Sequence, residues 1–183
     1  MRNCPFLPVA AAALALCFAP LPAASLAQAQ RGNVAPVTRL GTSGPWAAYE
    51  DDAPGGKICF LVGKPQKIDG GRANAAEVRM SVTHRPADKV ANVVNFILGF
   101  RARTDSDAVL AVDARRFALF TDKNGAWTRD APTDRAVVIA MSRGRRAMIR
   151  AEAEHGGPMT DSYDLSGFKE ALQMIDRACR VKR

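Results

Sequence analysis

The chain of 183 residues carries 26 Lys and Arg against 18 Asp and Glu, a formal net charge of +8. That length suits one domain with a sizeable core, and neither a second domain nor an internal repeat is legible. The positive balance favours anionic partners, whether lipid, polysaccharide or nucleic acid.

The first element is a leader. Arg2 supplies a charged start, Phe6 to Phe18 an apolar run, and Ala23-Ala-Ser-Leu-Ala27 places Ser25 and Ala27 at the −3 and −1 positions of a signal-peptidase site. Residues 1–27 are therefore read as a signal peptide. Pro8, Pro20 and Pro22 interrupt the run, which is too short to span comfortably, so no transmembrane anchor is expected after cleavage. A lipoprotein signal at Cys17 fails because Leu16 precedes it where a small residue belongs. The expected location is periplasmic or secreted, in solution or on the surface, and export makes nucleic acid the least expected partner.

Residues 28–44 mix Gln, Gly, Asn, Pro and Ser and read as a flexible arm. Order is expected from Pro45 and Trp46 onward, giving a single domain over residues 45–183. Glu50 to Gly56 is a turn on every local signal, and Lys57 to Gly63 is a short apolar strand that carries Cys59. Val78, Met80, Val82 and His84 alternate along the next strand. Asn92 to Phe100 is denser and reads as a central strand covered on both sides.

Ala108–Val112 and Arg116–Phe120 flank Asp113-Ala-Arg115 as short strands. Asp122-Lys-Asn-Gly125 is a hairpin turn, with Gly125 available for a left-handed position and Trp127 on the returning strand. Asp134–Met141 and Arg146–Glu154 are expected to form a further hairpin around a loop at Ser142 to Arg145. Met159 to Leu165 then leads to the terminal helix. There Phe168, Ala171, Leu172, Ile175 and Cys179 make one apolar stripe, Ser166 offers an N-cap hydroxyl, and Lys169, Gln173, Asp176 and Arg180 line the other face. Many short strands with turn signals between them and one helix argue an all-β sandwich or barrel.

Cleavage at Ala27 removes Cys4 and Cys17 and leaves Cys59 and Cys179. In an oxidising compartment a disulfide is the default reading. Two buried thiols, or a reactive or metal-binding thiol, are the alternatives; the metal reading lacks ligands, because neither His84 nor His155 neighbours a cysteine. No metal site or cofactor is expected, and Glu50-Asp51-Asp52 and Asp105-Ser-Asp107 read as solvated turns rather than calcium loops. His84 reads as a satisfied core histidine and His155 as a loop residue; a hydrolase using either is the enzymatic alternative. Arg143, Arg145 and Arg146, with Arg150 nearby, are the candidate anion-binding residues, suited to phosphate or sulfate groups.

The signal peptide, Trp46 before the first strand, Cys59 in an apolar strand and the ending Tyr163-x-Leu-x-Gly167-Phe168-x-x-Ala171-Leu172-x-x-Ile175-x-x-x-Cys179 occur together. This set resembles the invasion-associated locus B family of exported bacterial proteins over about residues 45–180. Phe60 stands where members often carry Tyr after the first cysteine. The resemblance implies an immunoglobulin-like β-sandwich in the cell envelope, with the C-terminal helix docked on it, a non-enzymatic role linked in pathogens to host-cell invasion, and no established catalytic residue. An envelope component or an anionic surface polymer is the expected kind of partner.

Overall fold

The computed structural model describes residues 36–69 and 74–183, all within one unit that runs from Asn33 to Arg183. The expected leader, with its two cysteines, and residues 28–35 of the expected arm lie outside the described residues. The rest of that arm is ordered: Thr38–Ser43 forms a strand, β1, antiparallel to β2 (Trp46–Ala53). Backbone pairing supplies the order that its few large side chains do not.

The strands that follow are β3 (Gly56–Gly63), β4 (Lys67–Ile68), β5 (Arg79–Arg85), β6 (Val90–Ile97), β7 (Ala108–Val112), β8 (Arg115–Asp122), β9 (Gly125–Trp127), β10 (Arg146–Glu152) and β11 (Pro158–Asp164). They join one antiparallel sheet in the order β1-β2-β3-β5-β6-β9-β8-β7-β10-β11-β4. Side chains alternate faces along each strand. In register, Trp46, Gly63, Met80 and Phe96 form one buried row, and Ala48, Leu61, Val82 and Val94 the next.

The sheet turns back on itself, because its two halves meet through these buried faces. The rings of Trp46 on β2 and Phe96 on β6 lie 6.4 and 5.8 Å from that of Tyr163 on β11. The Trp46 indole N–H donates to the Asp164 carbonyl at 3.0 Å. Trp46 fits because Gly63 lies beneath it: a Cβ there would sit 2.3 Å from the indole ring. Only one face of β6 is buried, so the expected cover on both sides is absent; Val93, Asn95 and Ile97 are partly open.

Two helices complete the fold. The first, α1 (Ala131–Arg143), replaces the strand expected over Asp134–Met141. Val137, Val138 and Ile139 carry β propensity, yet Asp134, Val137, Val138 and Met141 are buried at helical spacing. Asp130 caps the helix by accepting the Thr133 N–H at 2.7 Å, and Pro132 stands in the first turn. The hairpin expected between this segment and Arg146–Glu154 does not form; β10 pairs with β7 and β11 instead.

The second helix, α2 (Phe168–Cys179), packs against β1, β2 and β3. Phe168 meets Trp46 edge-on at 5.0 Å, and Cys179 is joined by a disulfide to Cys59 on β3. Ser166 does not cap it. Its hydroxyl and N–H both donate to the Asp164 carboxylate, and Gly167, at φ 81°, takes the N-cap position. Gly125 is likewise not the left-handed residue of its turn; Lys123 is, at φ 52°.

Candidate functional site

The terminal helix carries one residue that its sequence pattern placed on the wrong side. Asp176 is buried, and its carboxylate meets the wholly buried His84 at 3.0 Å from Nε2. The Asn92 backbone N–H donates to His84 Nδ1 at 3.0 Å, so a neutral ring carries its proton on Nε2 and gives it to Asp176. Arg183 donates to both Asp176 oxygens and, at 2.9 Å, to Asn92 Oδ1. Burial pushes the Asp176 carboxyl up, but the His84 and Arg183 hydrogen bonds outweigh it and hold the group below the usual carboxylate range. Both His84 nitrogens are occupied, so this is a positioning network for α2 and leaves no valence for proton transfer to a ligand. His155, the other histidine, lies exposed between β10 and β11.

The arginines are arranged otherwise. Arg143 stands in the last turn of α1, Gly144 ends the helix with its N–H on the Ala140 carbonyl at 2.8 Å, and Arg145 leads into β10. This is a helix-to-strand connection and not the hairpin tip expected from the sequence. It is anchored by Asp113, the first turn residue of the β7–β8 hairpin, at φ 48°. The Asp113 carboxylate accepts the backbone N–H groups of Arg145 and Arg146 at 3.1 and 3.3 Å. Gly144 admits this approach, since a Cβ would lie 2.8 Å from the Val112 side chain and 3.1 Å from the Asp113 carboxylate.

The consequence is electrostatic. Asp113 takes backbone donors, and the guanidinium groups of Arg143, Arg145 and Arg146 form no ion pair among the described residues; Arg146 faces Asp164 across the β10–β11 ladder, where the two charges attract without touching. Arg150 lies 3.9 Å from Glu152, which Arg103 holds at 2.9 Å. Register adds a residue that sequence reasoning missed. Arg116 on β8 faces Ala111 on β7, which faces Met148 on β10, while Arg150 faces Val109 one row along.

Arg116, Arg146 and Arg150 thus share an outer sheet face with Met148 and Val109, which are 42% and 37% exposed. The alternation of β8 was a usable signal for Arg116; the β7–β10 pairing was not. Two grooves flank Asp113. One of about 460 Å3 is lined by Arg145, Arg146 and Met148, and one of about 250 Å3 by Arg115 and Arg143. Several unpaired guanidinium groups around exposed apolar side chains can take phosphate, sulfate or carboxylate groups by forked hydrogen bonds.

No group of three or more His, Cys, Asp or Glu positioned for a metal occurs among the described residues. Glu50-Asp51-Asp52, expected in a turn, is paired within β2 because the strand runs on to Ala53, and Lys57 binds Glu50 at 3.0 Å; Asp107 is bound by Arg129 at 2.6 Å. No helix among the described residues is long and apolar enough to cross a membrane.

Comparison with known proteins adds two findings. A family model described as "Invasion associated locus B (IalB) protein" matches residues 46–176. The crystal structure of invasion associated protein B from Bartonella henselae is similar in fold, with a TM-score of 0.55 at 20% identity, over 80% of this chain and 99% of that one. No curated protein matches the chain.

Proposed function

Starting from the fact that this chain belongs to the invasion-associated locus B family, we propose that it is an exported, non-enzymatic envelope protein, an immunoglobulin-like sandwich that binds anionic surface polymer through its arginine face. The observation that carries this reading is the Asp113 arrangement. The Asp113 carboxylate accepts the backbone N–H groups of Arg145 and Arg146 and forms no ion pair with either guanidinium, which leaves both side chains free to turn outward. The leader pattern of residues 1–27 and the buried cystine support export. The engagement of both His84 nitrogens weighs against histidine-dependent hydrolysis. The Bartonella henselae neighbour is named for invasion; in this chain such a role would rest on a basic surface meeting the anionic polymers of another cell.

The test is retention on a sulfated-glycan matrix against a salt gradient. Replacing Arg143, Arg145 and Arg146 together by Ser lowers the eluting salt well beyond the effect of replacing Arg39, Arg135 and Arg177, exposed arginines elsewhere. Equal shifts for the two triple variants would reduce the effect to general basicity and sink the proposal.

A further inference from the structure

Away from the arginine face, a cavity of about 320 Å3 opens where β9 leaves β6. The β6–β9 ladder covers only Asn95–Ile97 of β6, after which the chain turns through Thr128 into α1. Val94, the next residue along β6, therefore has no strand neighbour on that side. Its N–H is taken at 2.8 Å by Oδ1 of Asp134, in the first turn of α1, and the Thr128 hydroxyl donates to the same oxygen. Asp134 is only 8% exposed, and its other oxygen has no hydrogen-bond or ion-pair partner among the described residues. Burial pushes this carboxyl up, against the pull of the Thr128 and Val94 hydrogen bonds.

The remaining walls suit a particular guest. Trp127 and Phe120 stack at 5.5 Å and line the cavity with Val93, while Asp122 adds a second, exposed carboxylate. No Lys or Arg is among the lining residues. Arg129 approaches the Phe120 ring at 5.8 Å, so this aromatic pair already receives a cation, but its guanidinium is committed to Asp107 at 2.6 Å. A nine-tenths-buried carboxylate with one unfilled oxygen, a second carboxylate and an aromatic wall are the elements of a site for an organic cation.

We propose that this cavity binds a short aliphatic amine, with Asp134 receiving an ammonium group, the Trp127–Phe120 face covering the alkyl chain and Asp122 meeting the far charge. A volume of about 320 Å3 lies in the range of small-molecule sites and accommodates a diamine of a few carbons. The inference is independent of the arginine face, which takes the opposite charge.

The chain holds two tryptophans, which makes the test internally controlled. Putrescine is titrated into the nitrogen-labelled protein at physiological salt, with the indole N–H signals as the readout. The Trp127 signal shifts saturably, while Trp46, buried and bonded to the Asp164 carbonyl, stays still. Butanediol, of similar shape and no charge, leaves both signals in place. Asp134→Asn keeps an acceptor for Val94 and Thr128 and weakens putrescine binding about tenfold or more; Asp122→Asn, at an exposed position that does not threaten folding, weakens it several-fold. A Trp127 signal that does not move, an equal response to butanediol, or unchanged affinity in both Asn variants overturns the proposal.

Discussion

Replacing Cys179 by Ser removes a covalent tie between residues 120 positions apart in sequence. In the chain-entropy model a loop of that length withdraws roughly 4.9 kcal/mol of freedom from the unfolded chain, and observed stabilisations are often smaller. The folded state loses less. Phe168, Ala171, Leu172 and Ile175 stay buried against the sheet, Phe168 keeps its edge-on contact with Trp46, and Asp176 keeps His84 and Arg183. The helix should therefore remain docked, with fraying confined to its last turn, and the stability change should come mainly from the unfolded state. A loss of about 3–5 kcal/mol lowers Tm by roughly 8–15 °C for a domain of this size.

Thermal melts followed by circular dichroism check this in three samples. The oxidised parent should melt highest. Cys179→Ser and the parent unfolded and refolded with reductant should melt together, well below it, and reductant should leave the variant unchanged. A variant within about 2 °C of the parent, or a parent indifferent to reduction, would refute the reasoning.

Three further outcomes concern two buried carboxylates. Asp176→Ala leaves His84 and Arg183 without their acceptor and should cost about 3 kcal/mol at pH 7. Because the native Asp176 carboxyl is held below its unfolded value, its contribution is complete above the unfolded pKa and disappears as pH falls through the native one. Denaturant midpoints of parent and variant should thus converge in acid below about pH 4; a constant gap would contradict the assigned network. Asp134 has the opposite sign. Its native carboxyl is raised, so the folded state takes up a proton first and gains stability as pH falls through that raised value. Asp134→Asn should be as stable as the parent or slightly more so at neutral pH, with the difference vanishing in acid. Asp134→Ala, which strands the Val94 N–H and the Thr128 hydroxyl, should lose about 2 kcal/mol in the same denaturant titrations.

Much of the scaffold was legible from local patterns. A short apolar run bounded by breakers in Lys57–Gly63, and alternation in Val78–His84, identified strands that bury Cys59 and His84, because both signals are written residue by residue. The stripe from Phe168 to Cys179 marked a helix and the side that docks, and its ending pointed to the family that the match over residues 46–176 shows. Local patterns failed where two signals competed. Val137, Val138 and Ile139 looked like a strand, and only the Asp130 cap and a core waiting at helical spacing made them α1.

Everything that gives the surface its chemistry came from contacts distant in sequence. Asp176 looked like a solvated helix residue until α2 was laid across β5, 92 positions from His84. The arginines around residue 145 were visible as a run, but not that Asp113, 32 positions earlier, would take their backbone N–H groups and leave their guanidinium groups unpaired. Arg116 joined them only because β7 pairs with both β8 and β10. The sequence by itself determined the apolar faces of β3, β5 and α2, since burial of such faces follows from hydrophobic period. Which charges meet, and which are left unmet, was decided by strand register and helix docking, because a charge is neutralised by whatever tertiary folding places within a few ångströms of it.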